Sequence, residues 1–152
     1  MDNKETKEKN CIFYASDYHF EMISLPYISK KIEEDKKVII LTDKDLDKTV
    51  KTLVSRINLN KEKKNKLLEI NWKNEDNKKL NELEKDVLKE NEIEVFVKGK
   101  EKYIKNINAE IENIAKNYSN IKIIDCYNID EVSDNMENIV KNYDKVISTM
   151  RK

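Results

Sequence analysis

The sequence is poor in the residue that builds nucleotide-binding loops, since Gly99 is the only glycine among 152 residues. A phosphate-binding loop or a dinucleotide fingerprint needs several glycines between a first strand and a first helix, because backbone amides must close on the phosphates. The corresponding segment here, 15–20, reads Ala-Ser-Asp-Tyr-His-Phe. The sequence therefore excludes the usual binding of nucleoside triphosphates or NAD at this turn, and it leaves open a site built from side chains.

The chain also lacks an excess of charge of either sign. Lysine plus arginine number 30, and aspartate plus glutamate number 30. No net field therefore draws the chain to nucleic acid or to an anionic membrane, and we predict neither as a partner. Although 39% of the residues are charged, the apolar residues are clustered in short runs, which predicts a folded chain rather than a disordered one.

Cysteines and long apolar runs are equally scarce. Cys11 and Cys126 each stand inside an apolar run, which is typical of small buried hydrophobic residues. No disulfide framework or zinc site is predicted. The apolar runs are far shorter than the roughly 20 residues that cross a bilayer, and segment 1–10 is polar, without the apolar core of a secretory signal. We expect a cytoplasmic protein.

Short apolar runs predict buried strands. Residues that are apolar at consecutive positions, rather than at alternate ones, fit strands covered on both faces. A weaker candidate at 68–72 could instead continue the preceding helix. The four stronger runs are 11–15, 38–41, 93–97 and 121–127.

Helical periodicity fills the segments between these runs. Apolar residues recur every three or four positions in 46–57, 80–88, 104–118 and 132–143. Asn128 and Glu131 have the spacing of a capping box before the last of these patterns.

Two further positions bear on where helices begin. Pro26 predicts that the first helix, within 20–33, is kinked or begins near Ser24, which would lengthen the loop after the first strand. Thr42 or Asp43 could cap the helix that follows the second strand.

Strands and helices in alternation predict parallel pairing through right-handed crossovers. The fold class is α/β, a three-layer helix, sheet, helix sandwich with about five mainly parallel strands, Rossmann-like or RecA-like. No repeat or linker marks a second domain, so we expect one domain over 11–152 behind a disordered tail at 1–10.

Ligands of open parallel sheets bind at the carboxyl ends of the strands, near the point where the strand order reverses. This rule converts the predicted fold into a set of candidate ligand-binding residues. No catalytic residue, metal ligand or cofactor is predicted. The candidates are Ser16, Asp17, His19, Thr42, Asp43, Lys98, Lys100 and Asp125.

Each candidate also has a purely structural interpretation. His19, two residues from Asp17, could act as a general base or a pH-sensitive ligand contact, but a single histidine between aromatic residues is more often a packing residue. Without a second histidine or a cysteine cluster, a metal site through nitrogen or sulfur is disfavoured. Asp17, Asp43 and Asp125 could meet on Mg²⁺ if their strands are neighbours. For Asp43 we favour a helix cap.

The residues 98–100 combine two lysines with the one glycine. Gly99 could take a positive φ there, and the lysines could hold an anion at the start of the next helix. The same residues could form an ordinary turn. Trp72 could line a pocket, although packing in the core is the better interpretation.

Residues 11–41 resemble the opening of a known family. The matching elements are Cys-Ile-Phe-Tyr-Ala-Ser at 11–16, Phe-Glu at 20–21, Leu-Pro-Tyr-Ile at 25–28, and Ile-Glu-Glu-Asp-Lys-Lys-Val-Ile-Ile-Leu at 32–41. Together they are similar to the MEDS domain, the sensory domain of methanogens and methylotrophs. That family is itself similar to RecA-like and KaiC-like ATPases without their phosphate loop. It usually has Gly-Leu and Gly-Glu where this chain has Lys-Ile at 31–32 and Asp-Lys at 35–36.

The resemblance implies a degenerate RecA-like module that senses a small ligand or binds a regulatory partner. We therefore expect a non-enzymatic regulatory or ligand-sensing module. One alternative is a small enzyme or nucleotide-binding protein that uses the polar residues at the strand ends. Another is a structural protein-interaction domain, and a homodimer stays open.

Overall fold

The chain alternates strands and helices from Glu8 onward. The computed structural model describes residues 8–89 and 91–147, and these residues contain five strands and seven helices. They are β1 (Glu8–Tyr14), α1 (Asp17–Glu33), β2 (Lys37–Thr42), α2 (Asp47–Arg56), α3 (Lys61–Glu69), α4 (Asp76–Leu88), β3 (Ile93–Lys98), α5 (Glu101–Ala115), β4 (Ile121–Asn128), α6 (Ile129–Val132), α7 (Met136–Val140) and β5 (Lys145–Val146).

The strands form one parallel sheet in the order β2-β3-β4-β1-β5. After β1 the chain crosses to the far edge of the sheet, returns through β3 and β4, and so brings β4 beside β1. Cys11 lies opposite Asp125 in that central pair. The predicted α/β sandwich with a parallel sheet is confirmed.

Helices cover both faces of the sheet. The first face packs against α1, α2 and α3, and the second face packs against α4, α5, α6 and α7. Side chains along a strand alternate between these layers. In β3, Phe96 therefore enters the first core, while Val95 and Val97 enter the second. No helix in the described ranges is long and apolar enough to cross a membrane.

Two elements left with alternatives are decided by the structure. Segment 68–72 is not a strand: the preceding helix, α3, continues to Glu69 and a loop follows, and the fifth strand is β5. α1 begins at Asp17 rather than near Ser24 and runs through Pro26, so the loop after β1 is short. Pro26 is exposed, so water can satisfy the carbonyl four residues before it.

Helix starts and ends also differ from the sequence pattern. Leu46, without a side-chain hydrogen bond, is the N-cap of α2, so Thr42 and Asp43 do not cap it. The periodic segment 132–143 divides into α6 and α7. Asn128 caps α6, where its side chain accepts a hydrogen bond from the N–H of Asp130 at 2.9 Å.

The predicted boundary of the tail is also too late, because β1 begins at Glu8 and pairs there with Lys122. Residues 1–7 of that predicted tail lie outside the described residues.

Candidate ligand site at the carboxyl edge of the sheet

The strand order reverses between β1 and β4. These strands are neighbours, but the chain leaves β1 toward α1 on the first face and leaves β4 toward α6 and α7 on the second. A crevice between diverging connections is where open parallel sheets bind their ligands. Apart from Asp125, the predicted residues fall into two groups around this edge.

The first group is the turn between β1 and α1. The Ser16 hydroxyl caps α1 by accepting a hydrogen bond from the N–H of His19 at 3.1 Å. The His19 ring makes a second contact in this turn, because its Nδ1 accepts a hydrogen bond from the N–H of Ala15 at 2.8 Å. The neutral ring therefore carries its proton on Nε2, and both side chains are exposed. The side chain of Asp17 lies outside the described residues.

Lys98 is buried beneath this turn rather than exposed on a loop. It is the last residue of β3, and only 1% of its surface is accessible. Its ammonium lies 5.0 Å from the centre of the Tyr14 ring and 5.3 Å from that of Phe20. A cation over an aromatic ring is attracted by the partially negative face of the ring quadrupole. Lys98 thus links β3 to β1 and α1 across β4.

The second group lies at the ends of β2 and β3. Oδ2 of Asp43 accepts a hydrogen bond from the N–H of Lys100 at 3.3 Å, and Lys100 is the N-cap of α5. The N–H of Asp43 donates to the carbonyl of Lys98 at 3.2 Å. A carboxylate is favoured at the positive end of a helix. The anion at the start of α5 is therefore the carboxylate of Asp43, where the sequence suggested a ligand.

Position 99, beside this carboxylate, requires glycine because no side chain would fit there, and not because the backbone needs a conformation that only glycine adopts. A Cβ atom on Gly99 would lie 2.6 Å from Cδ2 of Tyr103 and 2.8 Å from Oδ2 of Asp43. No glycine in the described residues has a positive φ, so Gly99 does not adopt the left-handed conformation that was open to it.

Thr42 has a local role beside them. Its buried hydroxyl donates to the carbonyl of Lys44 at 3.0 Å and accepts from the N–H of the same residue at 3.4 Å.

Asp125 belongs to neither group, because it faces the second layer. Its two carboxylate oxygens accept hydrogen bonds from Nδ2 of Asn108 at 3.0 and 3.1 Å. Oδ2 also accepts from the Tyr143 hydroxyl at 2.5 Å. Burial raises the pKa of Asp125, although hydrogen bonds from Tyr143 and Asn108 oppose the shift. The sheet separates this carboxylate from Lys98 on the first face.

The structure thus brings Ser16 together with His19, and Asp43 together with Lys100, and it separates Asp125 from both. Among the side chains that the structure describes, which do not include that of Asp17, no three histidines, cysteines, aspartates or glutamates lie close enough to hold a metal ion. Trp72 is buried in the first core, and its indole N–H donates to the carbonyl of Leu67 at 2.9 Å.

Sequence reasoning missed a buried carboxylate at the opposite, amino end of the sheet. Oε1 of Glu94 accepts from the Tyr27 hydroxyl at 2.9 Å. Its Oε2 lies 3.7 Å from Nζ of Lys31, 3.8 Å from Nζ of Lys36 and 3.7 Å from Nζ of Lys122. A charged residue inside the apolar run 93–97 was the available signal. These lysines offset the cost of burying the charge.

A second missed residue is Lys79 on α4. Only 2% of Lys79 is exposed, and its ammonium donates to the carbonyl of Ile40 at 2.7 Å and to the carbonyl of Lys73. Desolvation lowers the pKa of Lys79 to about 8. In the sequence it looks like any other lysine of a solvated helix. It lies beside a groove of about 570 Å³ that follows the outer edge of β2, away from the predicted site.

No protein-family model matches this sequence, and a comparison with curated proteins finds no match. The functional argument therefore depends on the geometry of the chain itself.

Proposed function

We propose that this chain is a non-enzymatic regulatory module that senses a small ligand or binds a regulatory protein. The observation that carries the proposal is the contact between Asp43 and the N–H of Lys100. A carboxylate from the chain itself holds the start of α5, a position where an enzyme of this architecture would hold an anionic substrate.

The other polar groups at this edge support the same proposal. A nucleophile needs a base within hydrogen-bond reach, oriented by a third group. The Ser16 hydroxyl is instead a helix cap for the N–H of His19, and Nδ1 of His19 is engaged by the N–H of Ala15. Thr42 bonds the backbone of Lys44. These contacts stabilise turns, and none of them activates a neighbouring side chain.

The resemblance of residues 11–41 to the MEDS domain also favours a sensory role. Within the proposal, Nε2 of His19 is the outward group at the turn that borders the crevice, and it contacts the ligand. The proposal further assigns the chain to the cytoplasm, with a small molecule or a regulatory protein as its partner rather than nucleic acid. A homodimer is compatible with it.

A test needs binding and turnover to be measured on the same samples. The protein is mixed with a panel of nucleotides, amino acids and organic acids, with and without Mg²⁺. Phosphorus and proton NMR follow the small molecules, and amide shifts of the protein follow binding. We expect one class of compound to shift the amides of 15–20 and to remain chemically unchanged.

The matched variants are His19→Gln, which changes the outward ring, and Tyr18→Phe, its exposed neighbour. His19→Gln should weaken binding about tenfold, while Tyr18→Phe should bind like the native protein. Turnover of any compound that disappears in His19→Gln and persists in Tyr18→Phe would overturn the proposal in favour of an enzyme.

A further inference from the structure

The outer face of α1 carries a row of exposed apolar side chains. Tyr18 is 59% exposed and Met22 is 47% exposed, and Pro26 is exposed one turn further along. Residues four positions apart on a helix are neighbours on its surface, so these three side chains form one continuous row. The other large apolar residues exposed in the described ranges stand singly on α3, α4 and β5, and they are Leu68, Leu88 and Val146.

Charge is absent from this row although the chain is rich in it. Charged residues make up 39% of the sequence, but segment 18–29 contains one, Glu21, which is 0% exposed. Ile23, beside the row, is half-buried. The outward side of α1 is therefore apolar over about three turns, as the inward side is. A helix that is apolar all round is typically covered all round, and an apolar patch on a charged surface marks an interaction site.

Lys30 extends the same row by one more turn. Its side chain is exposed, and its ammonium makes no salt bridge within the described part of the chain. We call Tyr18, Met22, Pro26 and Lys30 the α1 ridge. The ridge has an aromatic ring at one end and an unpaired ammonium at the other, about 18 Å apart along the helix axis.

We propose that the α1 ridge is the contact through which two copies of the chain form a homodimer, with the two α1 helices antiparallel about a twofold axis. The axis crosses the ridge midway between Met22 and Pro26. Met22 of each copy then packs against Pro26 of the other, and Tyr18 of each copy meets Lys30 of the other. The inference goes beyond the proposed function and does not depend on it.

The ridge is complementary to itself in this orientation. A row formed by every fourth residue of one helix packs into the groove beside the same row of another helix. An ammonium over an aromatic ring is attracted by the face of the ring, and the twofold axis makes this contact twice. The positive start of each helix also lies near the negative end of the other. In a parallel pair, by contrast, the two Lys30 ammonium groups would face each other.

Other occupants fit the ridge less well. The segments outside the described residues at the two ends, 1–7 and 148–152, read Met-Asp-Asn-Lys-Glu-Thr-Lys and Ser-Thr-Met-Arg-Lys. Each has a single apolar residue, so neither can cover the row. A helix that lies on an anionic membrane carries several lysines or arginines along its polar face, whereas segment 18–29 has none.

The size of the ridge sets the strength of the dimer. A standard protein–protein interface has roughly 20 to 30 residues on each side, and the ridge with its flanking side chains has far fewer. We therefore expect a reversible dimer whose population depends on concentration rather than an obligate one.

Sedimentation equilibrium of the full chain, from low micromolar to near-millimolar concentration, measures the association. We expect the mass to rise from that of a monomer to that of a dimer. Met22→Glu places a carboxylate in the middle of the apolar row and should weaken dimerisation at least tenfold. Leu88→Glu makes the same change at an exposed apolar position of α4, and it should dimerise like the native chain.

A second pair of variants tests the contact between the ammonium and the ring. Lys30→Gln removes the charge from the end of the ridge and should weaken dimerisation severalfold. Lys105→Gln removes a charge from an exposed position of α5 on the other face of the sheet, and it should have no effect. Lys30 is exposed, so this comparison stays decisive if Met22→Glu fails to fold.

Thiol cross-linking tests the orientation of the helices. A disulfide forms only where two Cα atoms come within about 7 Å of each other, and the native Cys11 and Cys126 are both 0% exposed. We expect copper phenanthroline to cross-link a mixture of Met22→Cys and Pro26→Cys chains faster than either chain alone. The product of the mixture should join one chain of each kind.

Three results would overturn the proposal. They are a monomer at every concentration, a dimer that Met22→Glu leaves unchanged, and faster cross-linking of Met22→Cys alone than of the mixture. The first would mean that the ridge is covered by a different protein or by none. Turnover of a compound in the ligand panel would overturn the regulatory function instead, and it would leave the association of the chain unchanged.

Discussion

The hydroxyl of Tyr143 joins two buried groups, since it donates to Oδ2 of Asp125 at 2.5 Å and lies 2.5 Å from the hydroxyl of Tyr127. Tyr143 stands shortly before β5, and Asp125 lies in the middle of β4. The contact fastens the last described segment of the chain to the second core. The contact contributes to stability because Asp125 is fully buried, with 0% of its surface exposed, and needs hydrogen-bond donors there.

Replacing Tyr143 with phenylalanine should therefore destabilise the fold. Tyr143→Phe keeps the ring and leaves Asp125 with Asn108 as its remaining donor, so we expect a loss of about 1 to 3 kcal/mol in the free energy of unfolding. Urea denaturation measures it. The control Tyr18→Phe removes an exposed hydroxyl and should change stability by less than about 0.5 kcal/mol. Equal losses in both variants would contradict the prediction.

Glu94 should be the most sensitive charged residue at the amino end of the sheet. Glu94→Gln leaves the ammonium groups of Lys31, Lys36 and Lys122 without their shared buried carboxylate, and we expect a loss of about 2 to 4 kcal/mol. Glu92 is two residues away, and its exposed side chain lies 3.4 Å from Lys36. Glu92→Gln should cost less than about 1 kcal/mol. Thermal and urea unfolding measure the loss of stability in the two variants. A larger loss in Glu92→Gln than in Glu94→Gln would contradict the prediction.

Lys79 should produce a pH dependence of stability that is opposite to that of a paired lysine. Its pKa is about 8 in the folded chain against an ordinary 10.5. Between these values the unfolded state binds more protons, so the free energy of unfolding must rise with pH. One pKa unit corresponds to about 1.4 kcal/mol, so we expect a rise of about 1 to 3 kcal/mol across this window.

The measurement is urea unfolding between pH 7.5 and pH 10.5, read as the difference between the native chain and Lys79→Met. Burial raises the pKa of Cys11 to about 12, so its titration lowers stability as the pH rises. This effect is the same in both chains and cancels in the difference. Lys78→Met, next to it on an exposed position of α4, should retain the native slope. A native slope in Lys79→Met would show that the buried ammonium does not cause it.

Gly99 should not tolerate a methyl group. In Gly99→Ala the new Cβ meets Cδ2 of Tyr103 and Oδ2 of Asp43 at less than 3 Å. The Tyr103 ring cannot retreat freely, because its hydroxyl donates to Asp76 at 2.9 Å. We expect a loss of about 1 to 3 kcal/mol.

A double-mutant cycle tests the cause of this loss. If the clash with the ring is responsible, Gly99→Ala should cost less in a Tyr103→Leu background than in the native chain. Additive losses would instead locate the cost at Asp43 or in the backbone.

Much of the architecture could be predicted because it depends on local patterns. The apolar runs at 38–41 and 93–97 are too short for helices and too apolar for an exposed strand, so they predicted buried parallel strands. The segment 68–72 was misassigned because a short apolar run does not distinguish a strand from the end of a helix. β5 escaped notice because a pairing of two residues leaves no periodic signal.

The candidate site was predictable only as a set of positions. The contact between Ser16 and His19 was not predicted, because the first helix was expected within 20–33, and Ser16 becomes its cap only since the helix begins at Asp17. The contact between Asp43 and Lys100 joins residues that are 57 positions apart, and it depends on β2 pairing with β3. No local pattern encodes such a pairing.

By itself, the sequence determined the layered α/β class and the absence of a glycine-built phosphate loop, because both depend on residue type and periodicity along the chain. Tertiary structure alone decided that Lys98 is buried against Tyr14 while Asp125 faces the opposite layer. Strand order and the face on which each side chain emerges set which groups meet and which lose their water. Strand order and side-chain face are properties of the assembled sheet rather than of any segment within it.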